Sequence, residues 1–265
     1  MLKSKSLIAA VVITAILFLL SCNKSDVVQV NEIQSTKHLT KIFQDANNYT
    51  ELTYINNKLS TYQIITNSQP ATSITLHYNN EKLPQSEDYT QYNIKYIRKF
   101  NYDEGGKVIK SDYLFQDSSE NYLPVRYLDY IYNALGQLEK TEQYNYNSTN
   151  NNFVHTFDIE YKYDGDGNII EKDIYSSGNL DTQEIMTYDN KINPLYLLKD
   201  YFHYDVSLSK NNILSIKRTY LGGTPQITLL TYSYKYDSEG YPLTSTINIS
   251  SGNQSDSLQT IYEYQ

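Results

Sequence analysis

Residues 161–172 read YKYDGDGNIIEK, and how this stretch is read decides the fold. Tyr161 and Tyr163 flank Lys162; Asp164, Gly165, Asp166 and Gly167 interrupt, and a second run begins at Ile169. Apolar and polar residues alternating with period two describe a strand with one face buried and one face wet. An Asp that opens a short polar segment closed by Gly describes a turn, because the carboxylate accepts backbone N–H groups and Gly takes positive φ. The competing reading is a calcium loop. Asp164, Asp166 and Asn168 occupy its first three ligand positions, but its invariant Gly falls on Ile169 and its bidentate Glu on Tyr175.

Recurrence separates the two readings. FNYDEGGKVIKS starts at Phe100, YIYNALGQLEKT at Tyr130 and YKYDSEGYPLTS at Tyr234, with weaker copies from Leu52, Leu76 and Met186. A turn explains every copy and calcium explains one, so Asp164, Asp166 and Asn168 stand only as the metal alternative. The second aromatic recurs after 24 residues from Tyr54 to Tyr78 and from Tyr78 to Tyr102, then after 30 and 31 at Tyr132 and Tyr163. A repeat of this length is one supersecondary unit that buries its apolar face only against its neighbours.

Each unit holds two strands and two connections. In QYNIKYIRKFNYD, Tyr96, Arg98, Phe100 and Tyr102 share one parity; in FVHTFDIEYKYD, His155, Phe157, Ile159, Tyr161 and Tyr163 do. That alternation places His155 on the aromatic face as a hydrogen-bonded core histidine, and His77 on a solvated face. Leu221-Gly222-Gly223-Thr224 reads as a further hairpin with a two-residue turn. The expected fold is all-β: an antiparallel up-and-down meander of about 14–18 strands. A one-faced sheet of that size twists and rolls, so a barrel or a strongly curled open sheet with tyrosine inside is expected. Residues 37–265 form a single domain in this reading.

The chain opens MLKSKSLIAAVVITAILFLLSC. Lys3 and Lys5, an apolar run from Leu7 to Leu20 and the small Ser21 describe a secretory signal peptide over residues 1–21. Leu19-Leu20-Ser21-Cys22 resembles the lipobox of bacterial lipoproteins, which implies cleavage before Cys22 and acylation of that residue. Cys22 is the sole cysteine, so a disulfide framework is excluded. Residues 22–36 read as a lipidated Cys and a flexible tether, with Asn23 pointing to the outer membrane, on its periplasmic or its outer side.

Composition narrows the partners. With 22 Lys and Arg against 30 Asp and Glu, loss of Lys3 and Lys5 leaves a side-chain charge of −10. Such a chain has no electrostatic footprint for nucleic acid. No nucleophile elbow, P-loop, dinucleotide fingerprint or H-E-x-x-H pair is present, so neither an enzyme nor a cofactor is expected. Most of the 29 tyrosines are needed to fill a rolled sheet. Those off the inner parity or in connections, Tyr113, Tyr122, Tyr127 and Tyr196, are the candidates for a ligand platform.

The Tyr-(Asp/Asn)-x-x-Gly-x-(Leu/Ile) skeleton resembles the YD repeats of the RHS and teneurin families, although Lys107, Gln137 and Asn168 stand where those repeats usually carry Arg. The lipobox, tether and tyrosine hairpins ending in YEYQ resemble an uncharacterised family of bacterial envelope lipoproteins, a domain of unknown function with a porin-like fold. That resemblance implies a barrel-like sheet in the cell envelope and assigns no activity. The expected role is a non-catalytic, membrane-anchored module for a glycan or an envelope protein. A purely structural scaffold is the alternative; a transmembrane barrel ranks below both, and an enzyme last.

Overall fold

The computed structural model describes residues 37–265 apart from 81–82, 93, 200 and 202–204. The signal peptide, Cys22 and the tether therefore lie outside the described residues, as does His203. Sixteen strands follow one another. They are β1 (Leu39–Asp45), β2 (Asn48–Ile55), β3 (Lys58–Thr66), β4 (Gln69–Tyr78), β5 (Pro84–Gln91) and β6 (Ile94–Tyr102). Next come β7 (Val108–Gln116), β8 (Tyr122–Tyr132), β9 (Leu138–Asn147), β10 (Asn152–Tyr163) and β11 (Ile169–Ser176). The last are β12 (Asn179–Ile192), β13 (Asn211–Tyr220), β14 (Gln226–Tyr236), β15 (Pro242–Ser251) and β16 (Gln254–Tyr264).

Each strand pairs antiparallel with the next, and the sheet closes where β1 meets β16. Leu39 lies opposite Tyr264 and Phe43 opposite Ile261, and His38 and Gln265 exchange two backbone hydrogen bonds of 2.9 Å. Closure leaves no strand edge open to another chain. The expected meander is thus a closed sixteen-stranded barrel.

The tyrosine repeat has a specific cause. At the Asp/Asn turns the outgoing strand carries one extra residue, a bulge beside the second aromatic of the repeat: Tyr102 lies opposite Val108 while Asn101 lies opposite Lys110. The same shift sits at Tyr54, Tyr78, Tyr132, Tyr163 and Tyr236. A bulge disrupts the ladder locally and leaves backbone groups in need of partners. The tyrosine of the next repeat supplies one. Tyr132 donates to the carbonyl of Val108 at 2.8 Å, Tyr163 to Leu138 at 2.9 Å, Tyr188 to Ile169 at 2.6 Å and Tyr264 to Pro242 at 2.8 Å. Tyr78 and Tyr102 bond the carbonyls of Leu59 and Pro84 in the same way. Each hairpin is latched to the one before it.

The turns are the expected ones. The Asp103, Asn133, Asp164 and Asp237 side chains all accept the amide four residues on, and Gly106, Gly136, Gly167 and Gly240 close the turns at positive φ. At the other end of the barrel, Asn67-Ser68 and Ser177-Gly178 take positive φ at both central positions, the type I′ geometry that suits hairpin twist. Residues 221–225 depart from expectation. The connection is five residues long, not two: pairing of β13 with β14 stops at Tyr220 opposite Gln226, and Leu221 donates to the carbonyl of Asp181 beside β12 at 2.6 Å.

One connection breaks the repeat. Between β12 and β13, residues 193–210 form a short 3-10 turn (Tyr196–Leu198) and a four-residue helical turn, α1 (Asp205–Leu208). Leu195, Leu198 and Tyr201 pack with Leu39, Leu52, Leu59, Tyr62, Ile74 and Leu76 of β1–β4. Those strands lie far round the barrel from β12 and β13, so the segment crosses the barrel mouth and plugs it. Its length displaces the latch of the following repeat: Tyr234, not Tyr236, bonds the carbonyl of Ile213, and Tyr236 bonds the Asp189 carboxylate.

Candidate functional site

Alternation sends most of the tyrosines, part of the Leu and Ile and a few charges into the lumen; the outer face carries the remaining charges together with exposed aliphatic residues such as Ile109, Ile131, Ile170 and Leu229. The lumen of a sixteen-stranded barrel is wide enough for a channel unless side chains fill it. Here the filling is uneven. Around β5–β10 it is dense, with Phe100, Val108, Leu128, Tyr130, Ile159 and Tyr161 all buried. Arg98 and Glu87 sit within this packing, their nearest charged atoms 3.4 Å apart. Arg98 also reaches the hydroxyl of Tyr130 at 3.4 Å and lies over the rings of Phe100 and Tyr113. Tyr130 shares a 2.6 Å hydrogen bond with Ser111. Burial raises the Glu87 carboxyl above its ordinary value, and Arg98 offsets this only in part.

Between β11–β16 and β1–β3 the filling is incomplete, leaving a cavity of about 260 Å³. Its floor includes Asn193, Pro194, Leu195 and Ser207 of the plug, and Gln44, Asn48 and Ile65 line it towards the opposite end. The walls are chiefly apolar and aromatic: Leu52, Tyr62, Met186, Ile216, Leu230 and Tyr232 among them. On one wall Lys172, Glu184 and Arg218 come from three successive strands. Lys172 Nζ lies 2.5 Å from Glu184 Oε2, and Arg218 Nε lies 2.5 Å from Oε1. Burial pushes Glu184 upward, but Lys172 and Arg218 outweigh it and hold the carboxyl below its ordinary range. Glu184 thus pairs with two cations at once. Burial also raises the nearby Tyr232 phenol, keeping it protonated.

The outer face differs in kind. Ion pairs sit on it in mid-strand: Lys140 lies 2.8 Å from Glu142 and 3.5 Å from Asp158, Lys110 lies 3.3 Å from Asp112, and Lys162 pairs with Glu171. Across β8–β10 this charged face bears a row of rings. Tyr127 and Tyr144 stack at 4.6 Å with planes 12° apart, Phe153 meets Tyr127 edge-on at 4.8 Å, and His155 meets Tyr144 at 5.1 Å. Lys110 Nζ lies 3.9 Å from the Tyr127 ring centre, and the Tyr144 hydroxyl donates to Glu142 at 3.0 Å. Loss of solvent, then the bond to Glu142, pushes the Tyr144 phenol up to about 12.

The sequence candidates fall in four separate places. Tyr127 belongs to the outer row. Tyr113 faces the lumen, held between Arg98 and Arg126. Tyr122 is exposed at the start of β8, and Tyr196 lies in the plug with Lys199 over its ring at 4.3 Å. They do not form one platform. His155 is a correction: it stands exposed on the outer face, 2.7 Å from Asp158, instead of in the core. A bulge between His155 and Phe157 reverses the parity of β10 at that point, which alternation alone could not show. His77 is exposed as expected and bonds Asp88 at 2.9 Å.

At the opening stretch, the Asp164 carboxylate accepts the amides of Asp166 and Asn168 at 3.0 and 2.8 Å and the Asn168 side chain at 3.1 Å. The Asn168 side chain is buried, donates to Asn211 Oδ1 at 3.1 Å and accepts the Asn211 amide at 3.0 Å. Among the described residues no group of three or more His, Cys, Asp or Glu is arranged to hold a metal.

Sequence reasoning missed the Lys172–Glu184–Arg218 group and the partners of Tyr127. Both left a signal. Lys172, Glu184 and Arg218 share the parity of their strands' apolar residues, and charges on an inner parity mark lumenal groups.

No protein-family model matches the chain, and no curated protein matches it. Among solved structures, the chain is similar to a porin-like protein from Bacteroides vulgatus, at 13% identity and a TM-score of 0.54, covering 86% of this chain and 99% of that one. A porin-like protein from Bacteroides uniformis matches at 13% identity and a TM-score of 0.52, over 86% and 96% of the two chains. A DUF3836 family protein from Parabacteroides distasonis shares 18% identity over 45% of this chain and 89% of its own, with a TM-score of 0.27. The chain thus has the barrel fold of the two porin-like proteins.

Proposed function

We propose that the protein is a non-catalytic binding module of the bacterial outer membrane, anchored by lipid on Cys22 and standing in water beside the bilayer. It presents the Tyr127–Tyr144–Phe153 row to a glycan or an envelope protein. The observation that carries this reading is the row itself: stacked rings set among the ion pairs of an outer strand face. A flat aromatic surface edged by carboxylates offers a sugar ring its stacking face and its hydroxyl groups their acceptors. The charged mid-strand positions argue against a transmembrane barrel, since a Lys or Arg facing lipid at the midplane costs about 2–4 kcal/mol. A scaffold role is the second reading, favoured by the latches, which account for many of the tyrosines.

The test has two arms. With residues 1–22 replaced by a leader that lacks the lipidated cysteine, the barrel is expected in the soluble envelope fraction without detergent. A requirement for detergent would favour a bilayer-spanning barrel. On a glycan array the full chain is expected to bind, and Tyr127→Ala with Tyr144→Ala to lose that binding while the melting temperature holds. Binding that is unchanged in the double variant would remove the platform.

A further inference from the structure

The outer row also selects among glycans, an inference that rests on the platform reading above. We infer that it takes a cationic amino-sugar glycan, with a protonated amine beside Asp129 and sugar rings against Tyr127, Tyr144 and Phe153. Strand register builds the place. Asp112, Tyr127, Tyr144 and His155 lie opposite one another on β7–β10. The next outward positions, Lys110, Asp129, Glu142 and Asp158, form a second row beside the first. The rings thus run along a line of carboxylates from three successive strands. The two rows are about 7 Å apart on β8, two residues at roughly 3.4 Å each, a separation that one sugar and its substituents can bridge.

The cations of this face are engaged elsewhere, and Asp129 is passed over. Lys110 stands opposite Asp129 in register, yet its Nζ lies 3.3 Å from Asp112 and 3.9 Å from the Tyr127 ring centre. Lys140 turns to Glu142 at 2.8 Å and Asp158 at 3.5 Å, and His155 to Asp158 at 2.7 Å. Among the described residues Asp129 has neither a hydrogen bond nor an ion pair, although it is half-buried between Lys110 and Glu142. Loss of solvent raises its carboxyl above the ordinary value; Lys110 opposes this from a distance, and Glu142 and Asp112 add to it. A sugar hydroxyl can donate to that carboxylate, but an ammonium donates and also answers its charge. Lys110 already uses the same chemistry, its ammonium held by a ring face and a carboxylate together.

The experiment is titration calorimetry of the full chain, in mildly acidic buffer that keeps sugar amines protonated. Three probes share a β-1,4 backbone and differ at one position: the tetramers of glucosamine, N-acetylglucosamine and glucose. A fourth, tetralysine, has the charges without the rings. The glucosamine tetramer is expected to bind about fivefold more tightly than the other two sugars, the upper end of what one partly exposed ion pair supplies. Tetralysine is expected to bind more weakly than the glucosamine tetramer. Asp129→Asn is expected to bring the three sugars within about twofold of one another, with affinity for the glucose tetramer unchanged. Equal affinity for the three sugars in the wild type would overturn this inference and leave the platform standing. Binding of none of them would also overturn it, and the glycan array then decides the platform separately. Tetralysine binding as tightly as the glucosamine tetramer would give the carboxylates to a basic peptide and overturn the glycan. So would a glucosamine preference that survives in Asp129→Asn overturn the part assigned to that residue.

Discussion

Two buried carboxylates divide the barrel. Glu87 in the dense half faces one guanidinium at 3.4 Å and has its carboxyl raised by burial; Glu184 in the open half faces two cations at 2.5 Å and is held below its ordinary range. Both lie on inner strand faces and both are buried. Burial is thus common to them, and the number and closeness of cations decide the charge state. One half of the lumen holds a single looser ion pair in solid packing; the other holds a carboxylate between two cations beside a cavity.

The largest break in that comparison comes from removing Glu184. Glu184→Ala leaves Lys172 and Arg218 buried without their shared anion, and stability to urea is expected to fall by about 3–5 kcal/mol. Next is the plug, the floor of the open half. Leu198 is buried against β1–β4, so Leu198→Ala is expected to cost roughly 3 kcal/mol. Intact stability in that variant would mean that the plug does not close the mouth.

The Tyr163 and Tyr264 latches are alike and lie in different halves, which separates the walls from the filling. Tyr163→Phe in the dense half and Tyr264→Phe in the open half each strand a bulge carbonyl. Each is expected to cost about 1–2 kcal/mol by chemical unfolding. A large difference between them would show that the lumen, not the bulge, sets the value of the bond. The smallest effect belongs to Glu87→Gln, about 1 kcal/mol or less at pH 7, because burial already works against the charged form of Glu87 and the amide keeps an oxygen beside Arg98.

Opposite signs follow in acid. Glu184 is depressed in the fold, so its stabilisation is present above its unfolded value near 4.5 and is lost as pH falls through the folded value. Glu87 is raised, so its contribution is fullest below 4.5 and is lost as pH rises through its folded value. Melting curves from pH 3 to pH 7 are expected to show a shallower acid loss in Glu184→Gln than in the wild type, and a steeper one in Glu87→Gln. The same slope in both variants would erase the distinction between the halves.

How much of this was legible depends on how local its cause is. Asp103, Asp164 and Asp237 announced their turns because an Asx carboxylate bonds amides two and four residues away, within one quoted motif. Tyr96, Arg98, Phe100 and Tyr102 announced an inner face because period two holds between bulges. His155 was misplaced because one extra residue in β10 reverses parity, and nothing in FVHTFDIEYKYD marks the bulge. The two-residue turn read at Gly222-Gly223 failed because β13 and β14 pair only as far as Tyr220 and Gln226, and nothing in the four-residue motif marks where that pairing stops. Tyr127 was named from its parity, but its stacking on Tyr144 and Phe153 required the register of three strands.

By itself, then, the sequence determined the repeat, the strand alternation, the turn chemistry and the latching tyrosine, all set by residues within about one repeat of each other. Only the tertiary structure decided that β1 meets β16, that Leu195, Leu198 and Tyr201 reach across the mouth, and that Lys172, Glu184 and Arg218 share a cavity wall. Those depend on accumulated twist, on strand count and on where bulges fall. No segment shorter than the whole barrel encodes them.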